Sequence, residues 1–155
     1  MKKTNTMRIL DRAKVEYNAI SYNVDESDLS AVHVAESLNQ DISKVFKTLV
    51  LEGDKTGYIV ACIPGAKEVH LKNLASLSGN KKCVMIPMKD ILKVTGYIRG
   101  GCSPFGMKKQ FPTFVDESAI RFDKIYVSAG VRGIQIEITP TNLIRLTNAK
   151  TGQLT

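Results

Sequence analysis

The sequence predicts a single α+β domain over residues 1–155, built on a mixed, curled, barrel-like β-sheet with helices packed outside it. The chain has 155 residues, of which 43% are hydrophobic, and this size suits one core but leaves little room for a second. Short strands in hairpins are interleaved with short helices, without the regular spacing of βαβ units. This arrangement is typical of a mixed sheet.

The first 40 residues predict two helices separated by a short strand. Apolar residues at helical spacing indicate a first helix over residues 4–14, which Thr4 or Asn5 can cap. Residues 17–23 then favour a strand. After an acidic turn, Ser30 is placed to cap a second helix that ends at Leu38.

Residues 45–51 predict a central strand, because both of its faces are mostly apolar. The glycines at positions 53 and 57 indicate a hairpin turn into a second strand over 58–63. Lys47 interrupts an otherwise apolar face of the first strand. Since lysine is almost never fully buried without a partner, we expect Lys47 to open into a cleft or to pair with an anion.

The remainder of the chain predicts further short elements around one long loop. The predicted helices cover residues 71–77, 88–94 and 140–146, and the predicted strands cover 83–86, 113–115, 125–129 and 133–139. Thr139 and Pro140 form a typical N-cap and first helical residue. In the last strand, isoleucines alternate with Gln135 and Glu137, which indicates one buried face and one face toward solvent or a cavity.

The loop over residues 96–112 contains four glycines and two prolines, so a regular helix or strand is not expected there. Glycine lets backbone N–H groups approach a ligand without a Cβ atom in the way. Arg99, Lys108 and Lys109 make the loop basic. Residues 61–115 contain nine Lys and Arg against two Asp and Glu, so this third of the chain accounts for a net charge of +7. An anionic partner would be steered toward it, although a solvated basic face has the same composition.

Several common kinds of site are not indicated. The three cysteines are widely spaced, and neither histidine belongs to a zinc-ligand pattern, so we expect no metal and no disulfide framework. The loop matches neither a Walker motif nor a dinucleotide fingerprint. No general base lies near Cys102 in the sequence, which disfavours a cysteine nucleophile. No leader or membrane-spanning run is visible, so a cytoplasmic location without membrane association is expected.

Four segments of the chain resemble the bacterial YbaK/EbsC family, in order and at the family's spacing. They are Val-Phe-Lys-Thr-Leu at 45–49, Thr-Gly-Tyr-Ile-Arg-Gly-Gly-Cys-Ser-Pro-Phe-Gly-Met-Lys-Lys at 95–109, Phe-Pro-Thr-Phe-Val-Asp at 111–116 and Val-Ser-Ala-Gly-Val-Arg-Gly-Ile-Gln-Ile-Glu at 127–137. This family consists of free-standing relatives of the editing domain inserted in bacterial prolyl-tRNA synthetases. The resemblance implies an enzyme that removes cysteine mischarged onto proline tRNA.

The resemblance also implies a mechanism without a cofactor and without a protein nucleophile. In the family, the cysteinyl thiol of the substrate is thought to attack its own ester carbonyl, which releases the tRNA and a cyclic thioester. The lysine matching Lys47 lies near the 3′-terminal adenosine and the ester. The glycines matching Gly100 and Gly101 contribute backbone contacts at the reacting centre. The implied partners are aminoacylated tRNA(Pro) and prolyl-tRNA synthetase.

The resemblance implies further site residues, among them a tyrosine after the first strand, which Tyr22 matches best. The expected substrate pocket consists of Tyr22, Cys102, Ser103, Pro104, Ser128 and Gln135. Arg99, Lys108 and Lys109 are expected to contact the tRNA backbone. Some family members carry Asp where Gln135 stands, and an aromatic residue within the region of residues 25–30, where this chain has none. Two alternatives therefore stay open, namely a deacylase for another small residue such as Ala-tRNA(Pro), and a non-catalytic tRNA-binding module.

Overall fold

The computed structural model describes all 155 residues and contains five α-helices and eight β-strands. The helices are α1 (Asn5–Arg12), α2 (Ala31–Leu38), α3 (Leu71–Ser78), α4 (Ile91–Thr95) and α5 (Pro140–Thr147). The strands are β1 (Asn18–Ser21), β2 (Phe46–Gly53), β3 (Gly57–Pro64), β4 (Cys83–Met85), β5 (Thr113–Asp116), β6 (Ile125–Ser128), β7 (Ile134–Ile138) and β8 (Lys150–Gly152). Single 3₁₀ turns precede β2 and α4, and a longer one follows β5.

The strands form two sheets. The larger sheet has the order β4-β2-β3-β5-β8, with antiparallel pairing of β4, β2 and β3 and parallel pairing of β3, β5 and β8. The smaller sheet is antiparallel, with the order β1-β7-β6. A bridge between Val45 and Tyr126 connects the two sheets just before β2 begins. The α+β class and the mixed pairing are therefore as predicted, whereas neither sheet closes on itself.

Three apolar clusters hold these layers together. The main core lies between the two sheets, where residues such as Val60 and Cys62 meet Val127 and Ile136, and α1 closes one side with Met7 and Leu10. A second cluster fills the space between α3 and the opposite face of the larger sheet. The third packs α2 against Val45 and Tyr126, on the outer face of the smaller sheet.

Local sequence signals determine where several helices begin and end. The hydroxyl of Ser30 accepts a hydrogen bond from the backbone N–H of His33, and that of Thr139 accepts one from Asn142, as expected for N-caps. Gly79 and Asn148 end α3 and α5 in the left-handed conformation. These caps agree with the predicted helix boundaries to within one residue.

Candidate active site

Lys47 lies on the same side of β2 as Val45, because side chains alternate along an extended chain. The same face of β2 carries Leu51, which packs beneath α3, while Val45 packs beneath α2. Lys47 therefore projects from the outer face of the larger sheet, away from the main core. Its side chain is partly buried and forms no ion pair. Burial lowers the pKa of Lys47, and the charge of Glu68 opposes that change without forming a salt bridge. The ammonium group is therefore available to an incoming anion.

The outer face of the smaller sheet contributes three of the expected pocket residues. Ser128 and Gln135 are cross-strand neighbours on β6 and β7, and the backbone N–H of Tyr22 donates to the carbonyl oxygen of Gly133 at 2.9 Å. The Tyr22 side chain packs against the cluster that contains Val45. The structure thus brings Tyr22, Ser128 and Gln135 to the same side of the sheet.

Gln135 is the one buried side chain whose polar atom is left without a partner. It is only 5% exposed, and its Oε1 atom accepts no hydrogen bond within the protein. An unpaired buried acceptor costs about 1–3 kcal/mol, so native proteins rarely retain one without a reason. In contrast, the hydroxyl of Ser128 is engaged, since it accepts a hydrogen bond from the N–H of Gly130 at 3.1 Å.

Gly100 lies at the rim of this region, in the exposed turn of the glycine loop. Its φ angle of +82° is in the left-handed region, and a Cβ atom there would lie 3.3 Å from both Arg132 Nε and Leu29 Cδ1. Glycine is therefore required at position 100, both for its left-handed backbone conformation and because a Cβ atom would crowd these two side chains. The N–H of Gly100 forms no hydrogen bond within the chain, so this donor is free for a ligand oxygen.

Gly101 differs from its neighbour in how its backbone N–H is used. Its N–H donates to the carbonyl oxygen of Ile98 at 3.0 Å and is used within the turn. A Cβ atom at this position would lie 3.3 Å from the backbone of Val131 and Arg132. Gly101 consequently lets two loops pack closely, while Gly100 carries the free donor.

Arg132 fixes this contact between the loops. Its Nε donates to the carbonyl oxygen of Arg99 at 2.8 Å, and its Nη1 forms an ion pair with Glu26 at 2.5 Å. Neither Arg132 nor Leu29 was among the site residues expected from the sequence. The Gly-Val-Arg-Gly turn at 130–133 was visible there, but its partner is 33 residues away along the chain.

Cys102, Ser103 and Pro104, which are also expected in the substrate pocket, make their contacts on the core side of the loop. Cys102 packs against the main core, and burial raises its thiol pKa to about 11. Ser103 is fully buried, with its hydroxyl bonded to Thr6 and to the N–H of Phe105. Pro104 lines another cavity, of about 230 Å³. All three lie on the core side of the loop.

The three basic residues of the loop lie at two separate places. Arg99 is exposed beside Gly100, whereas Lys108 and Lys109 are exposed at the far end of the loop, next to Phe111. None of the three side chains forms an ion pair. They are free to contact an anionic partner at two different places on the same loop.

The chain is similar to known proteins in sequence and in fold. Residues 26–146 match the model of the aminoacyl-tRNA editing domain family. The chain belongs to that family. The match includes Lys47, Gly100 and Gln135, and it begins at Glu26, which pairs with Arg132.

Two curated relatives of this editing domain are informative. An Enterococcus faecalis protein named "Putative Cys-tRNA(Pro)/Cys-tRNA(Cys) deacylase EbsC" is 52% identical over 153 residues, which cover 99% of this chain and 93% of the relative. The proline–tRNA ligase of Thermosipho africanus is 32% identical over 98 residues, which cover 63% of this chain but only 17% of the ligase. The similarity to the ligase is thus confined to a small part of that enzyme.

Solved structures show the same fold at low sequence identity. A crystal structure titled as "a putative trans-editing enzyme for prolyl tRNA synthetase" superposes with a TM-score of 0.82 over 99% of both chains, at 20% identity. A hypothetical protein superposes with a TM-score of 0.86 over 95% of this chain and 96% of its own, also at 20% identity. These two likenesses concern the fold.

Two further observations concern metal binding and membrane-spanning helices. No group of three or more His, Cys, Asp or Glu side chains is arranged to hold a metal ion. None of the five helices is long and apolar enough to cross a bilayer.

Proposed function

We propose that this protein deacylates mischarged Cys-tRNA(Pro) in trans, with residues 1–155 acting as one editing domain. The observation that carries the proposal is that the matched editing domain contains a cation and a backbone donor that are both free to bind a ligand. Lys47 has no ion pair, and the N–H of Gly100 has no partner. The 52% identity to a relative named as a Cys-tRNA deacylase supports cysteine as the amino acid.

In the proposed complex, Lys47 and Gly100 position the ester at the 3′ end of the tRNA. The Lys47 ammonium group contacts the terminal nucleotide and its ester, and the Gly100 N–H donates to the carbonyl oxygen as negative charge develops on it. Donors fixed before the reaction stabilise such charge without reorganisation, and one of them commonly contributes about 10²- to 10³-fold in rate. Tyr22, Ser128 and Gln135 form the wall that receives the aminoacyl group.

The thiol of the substrate supplies the nucleophile in this mechanism. Its sulfur attacks the ester carbonyl of the same aminoacyl group, the bond from that carbon to the ribose oxygen breaks, and the thiol proton ends on the released ribose hydroxyl. The products are a cyclic thioester and free tRNA. The protein's own thiols do not compete as nucleophiles, because burial raises the thiol pKa of Cys62 to about 12 and that of Cys102 to about 11, and both stay protonated in the core.

We assign tRNA contacts to Arg99, beside Gly100, and to Lys108 and Lys109 farther along the loop. Prolyl-tRNA synthetase is the proposed source of specificity for tRNA(Pro), and the cytoplasm is the proposed location because charged tRNA is used there.

The bridge between Val45 and Tyr126 supports a further structural proposal, that the two sheets curve around the main core as one barrel-like wall.

Single-turnover assays with a panel of substrates test this function. Cys-tRNA(Pro), Ser-tRNA(Pro), Ala-tRNA(Pro) and Pro-tRNA(Pro) are incubated with the purified protein, and the remaining ester is measured over time. We expect rapid loss from Cys-tRNA(Pro) alone. Equal cleavage of the serine ester would exclude thiol assistance, cleavage of the alanine ester would favour the alternative substrate, and stability of every ester would favour a tRNA-binding module.

A further inference from the structure

A cavity of about 350 Å³ lies beside the far end of the glycine loop, on the core side of the larger sheet. Its lining residues are Tyr58, Lys93, Val94, Lys108, Lys109 and Phe111, and we call them the Tyr58–Phe111 surface. Tyr58 pairs with Glu52 and packs against the main core, whereas Lys47 projects from the opposite face of β2. The surface is therefore separate from the candidate active site.

Two aromatic rings dominate this surface. The rings of Tyr58 and Phe111 meet edge to face, with centroids 5.7 Å apart and planes inclined by 77°. Both residues are partly exposed, and no lysine or arginine lies over either ring. An edge-to-face pair leaves ring surface open to a third aromatic group, which can stack there.

The charged residues that line the cavity are all positive, although Glu52 is the cross-strand neighbour of Tyr58. Lys93, Lys108 and Lys109 line the cavity, and no acidic side chain does. Lys93 reaches Asp90 at 3.3 Å across the surface of α4, while Lys108 and Lys109 have no ion pair. Open aromatic rings flanked by lysines are the arrangement that binds single-stranded nucleic acid, because bases stack on the rings and phosphates contact the cations.

We propose that the Tyr58–Phe111 surface binds an unpaired nucleotide near the 3′ end of the tRNA, with its base stacked on the rings and its phosphates held by Lys108 and Lys109. This inference rests on the proposed function for the identity of the RNA. The bases of an RNA duplex are stacked on each other and cannot reach such rings, so the ligand must be single-stranded. The glycine loop connects this surface to Gly100, where the ester is proposed to lie. One loop thus holds the strand at two points.

A single tryptophan can report on this stacking, since the chain contains none. We would compare Phe111→Trp with Phe122→Trp, because Phe122 is also a partly exposed ring near a lysine, with Lys44 Nζ 5.9 Å from its centroid. Each variant is titrated with the tetranucleotide 5′-ACCA-3′, with a blunt RNA duplex and with poly-glutamate. We expect the tetranucleotide alone to quench the fluorescence, and only in Phe111→Trp. The proposal would be overturned if the tetranucleotide quenched both variants or neither of them. It would also be overturned if all three polyanions quenched Phe111→Trp.

Affinity measurements on variants that keep the apolar packing provide the second test. Tyr58→Leu and Phe111→Leu should each weaken tetranucleotide binding by about 5-fold or more, as base–aromatic stacking usually contributes at least that much. Phe122→Leu should leave the affinity unchanged, and thermal unfolding of each variant checks the fold. Unchanged affinity in folded Tyr58→Leu and Phe111→Leu would contradict the proposal. Because binding is measured on unesterified RNA, this result is independent of deacylation, whose failure would instead count against the proposed function.

Discussion

The Nε of Arg132 donates a hydrogen bond of 2.8 Å to the carbonyl oxygen of Arg99, and thereby ties the glycine loop to the turn between β6 and β7. The same side chain forms an ion pair with Glu26, in the segment that leads into α2. Gly100 follows Arg99 directly, so this contact determines where its free N–H points. We therefore regard Arg132 as a positioning residue for the proposed reaction.

Replacing Arg132 should lower the rate of deacylation far more than it lowers stability. We expect Arg132→Gln to reduce kcat by about 10- to 100-fold, because small displacements of a positioned group have effects of this size. KM for tRNA should change little, since Arg132 does not touch the tRNA in this account. The Glu26 side chain is 72% exposed, so loss of the ion pair should change the free energy of unfolding by only about 1 kcal/mol or less.

Arg145→Gln is the matched control for this prediction. Arg145 is exposed and bonds only to Asn142 within its own helix, at 3.3 Å. This variant should keep the wild-type kcat. A rise in KM without a change in kcat for Arg132→Gln would show that Arg132 binds the tRNA instead of positioning the loop.

Substitution of Gly100 by alanine should abolish most of the activity at a moderate cost in stability. The left-handed φ of +82° costs a non-glycine residue about 1–2 kcal/mol, and the new methyl group would press on Arg132 and Leu29. Gly57→Ala isolates the first effect, because Gly57 has a φ of +77° with no atom within 4 Å of its Cβ position. Denaturant unfolding should show the larger loss of stability in Gly100→Ala, because of the added crowding, and deacylation should fall only in that variant. Full activity in Gly100→Ala would show that glycine at this position is not needed for catalysis.

The thiol of Cys102 should be dispensable for catalysis. Burial raises its pKa to about 11, so the thiol stays protonated as the pH rises through neutrality, and its thiolate appears only in strongly alkaline solution. We expect Cys102→Ser to keep kcat within about 3-fold of wild type, and iodoacetamide at pH ~7 to leave the activity intact. A loss of activity that accompanies covalent labelling of Cys102 would indicate that its thiol acts as a nucleophile.

We expect the unpaired amide oxygen of Gln135 to lower the free energy of unfolding and to contact the substrate. Gln135→Met keeps the shape of the side chain and removes the unpaired acceptor, so the free energy of unfolding should rise by about 1 kcal/mol or more. KM for Cys-tRNA(Pro) should rise at the same time. Denaturant titration and steady-state kinetics measure the two effects separately. Increased stability with an unchanged KM would mean that the amide does not contact the substrate.

Much of the fold follows from local signals in the sequence. The caps at Ser30 and Thr139 place α2 and α5, and the apolar faces of residues 45–51 correctly predict a strand between two others. The alternation of isoleucine in β7 also predicts its buried face. In contrast, β8 was not predicted, because Lys150–Gly152 has neither apolar alternation nor β-branched residues on both faces, and is held by parallel pairing with β5. Its stability comes from tertiary structure, which local propensity does not encode.

The candidate site was predictable in its parts but not in its assembly. Lys47 was conspicuous because it interrupts an apolar face, and Gly100 because it lies in a glycine-rich loop. Whether a backbone N–H is free, as in Gly100, or used within a turn, as in Gly101, depends on the loop conformation. The roles of Arg132 and Leu29 depend on contacts between segments far apart in the chain. Such contacts leave no local pattern in a single sequence.

Single-turnover release of cysteine from Cys-tRNA(Pro) by Lys47→Ala tests the central claim most directly. Lys55→Ala, in the exposed turn of the same hairpin, is the control. We predict that Lys47→Ala loses about 100-fold or more of the rate, as expected when a group that stabilises charge in the transition state is removed, and that Lys55→Ala retains it. Release by Lys47→Ala at the wild-type rate would contradict the account.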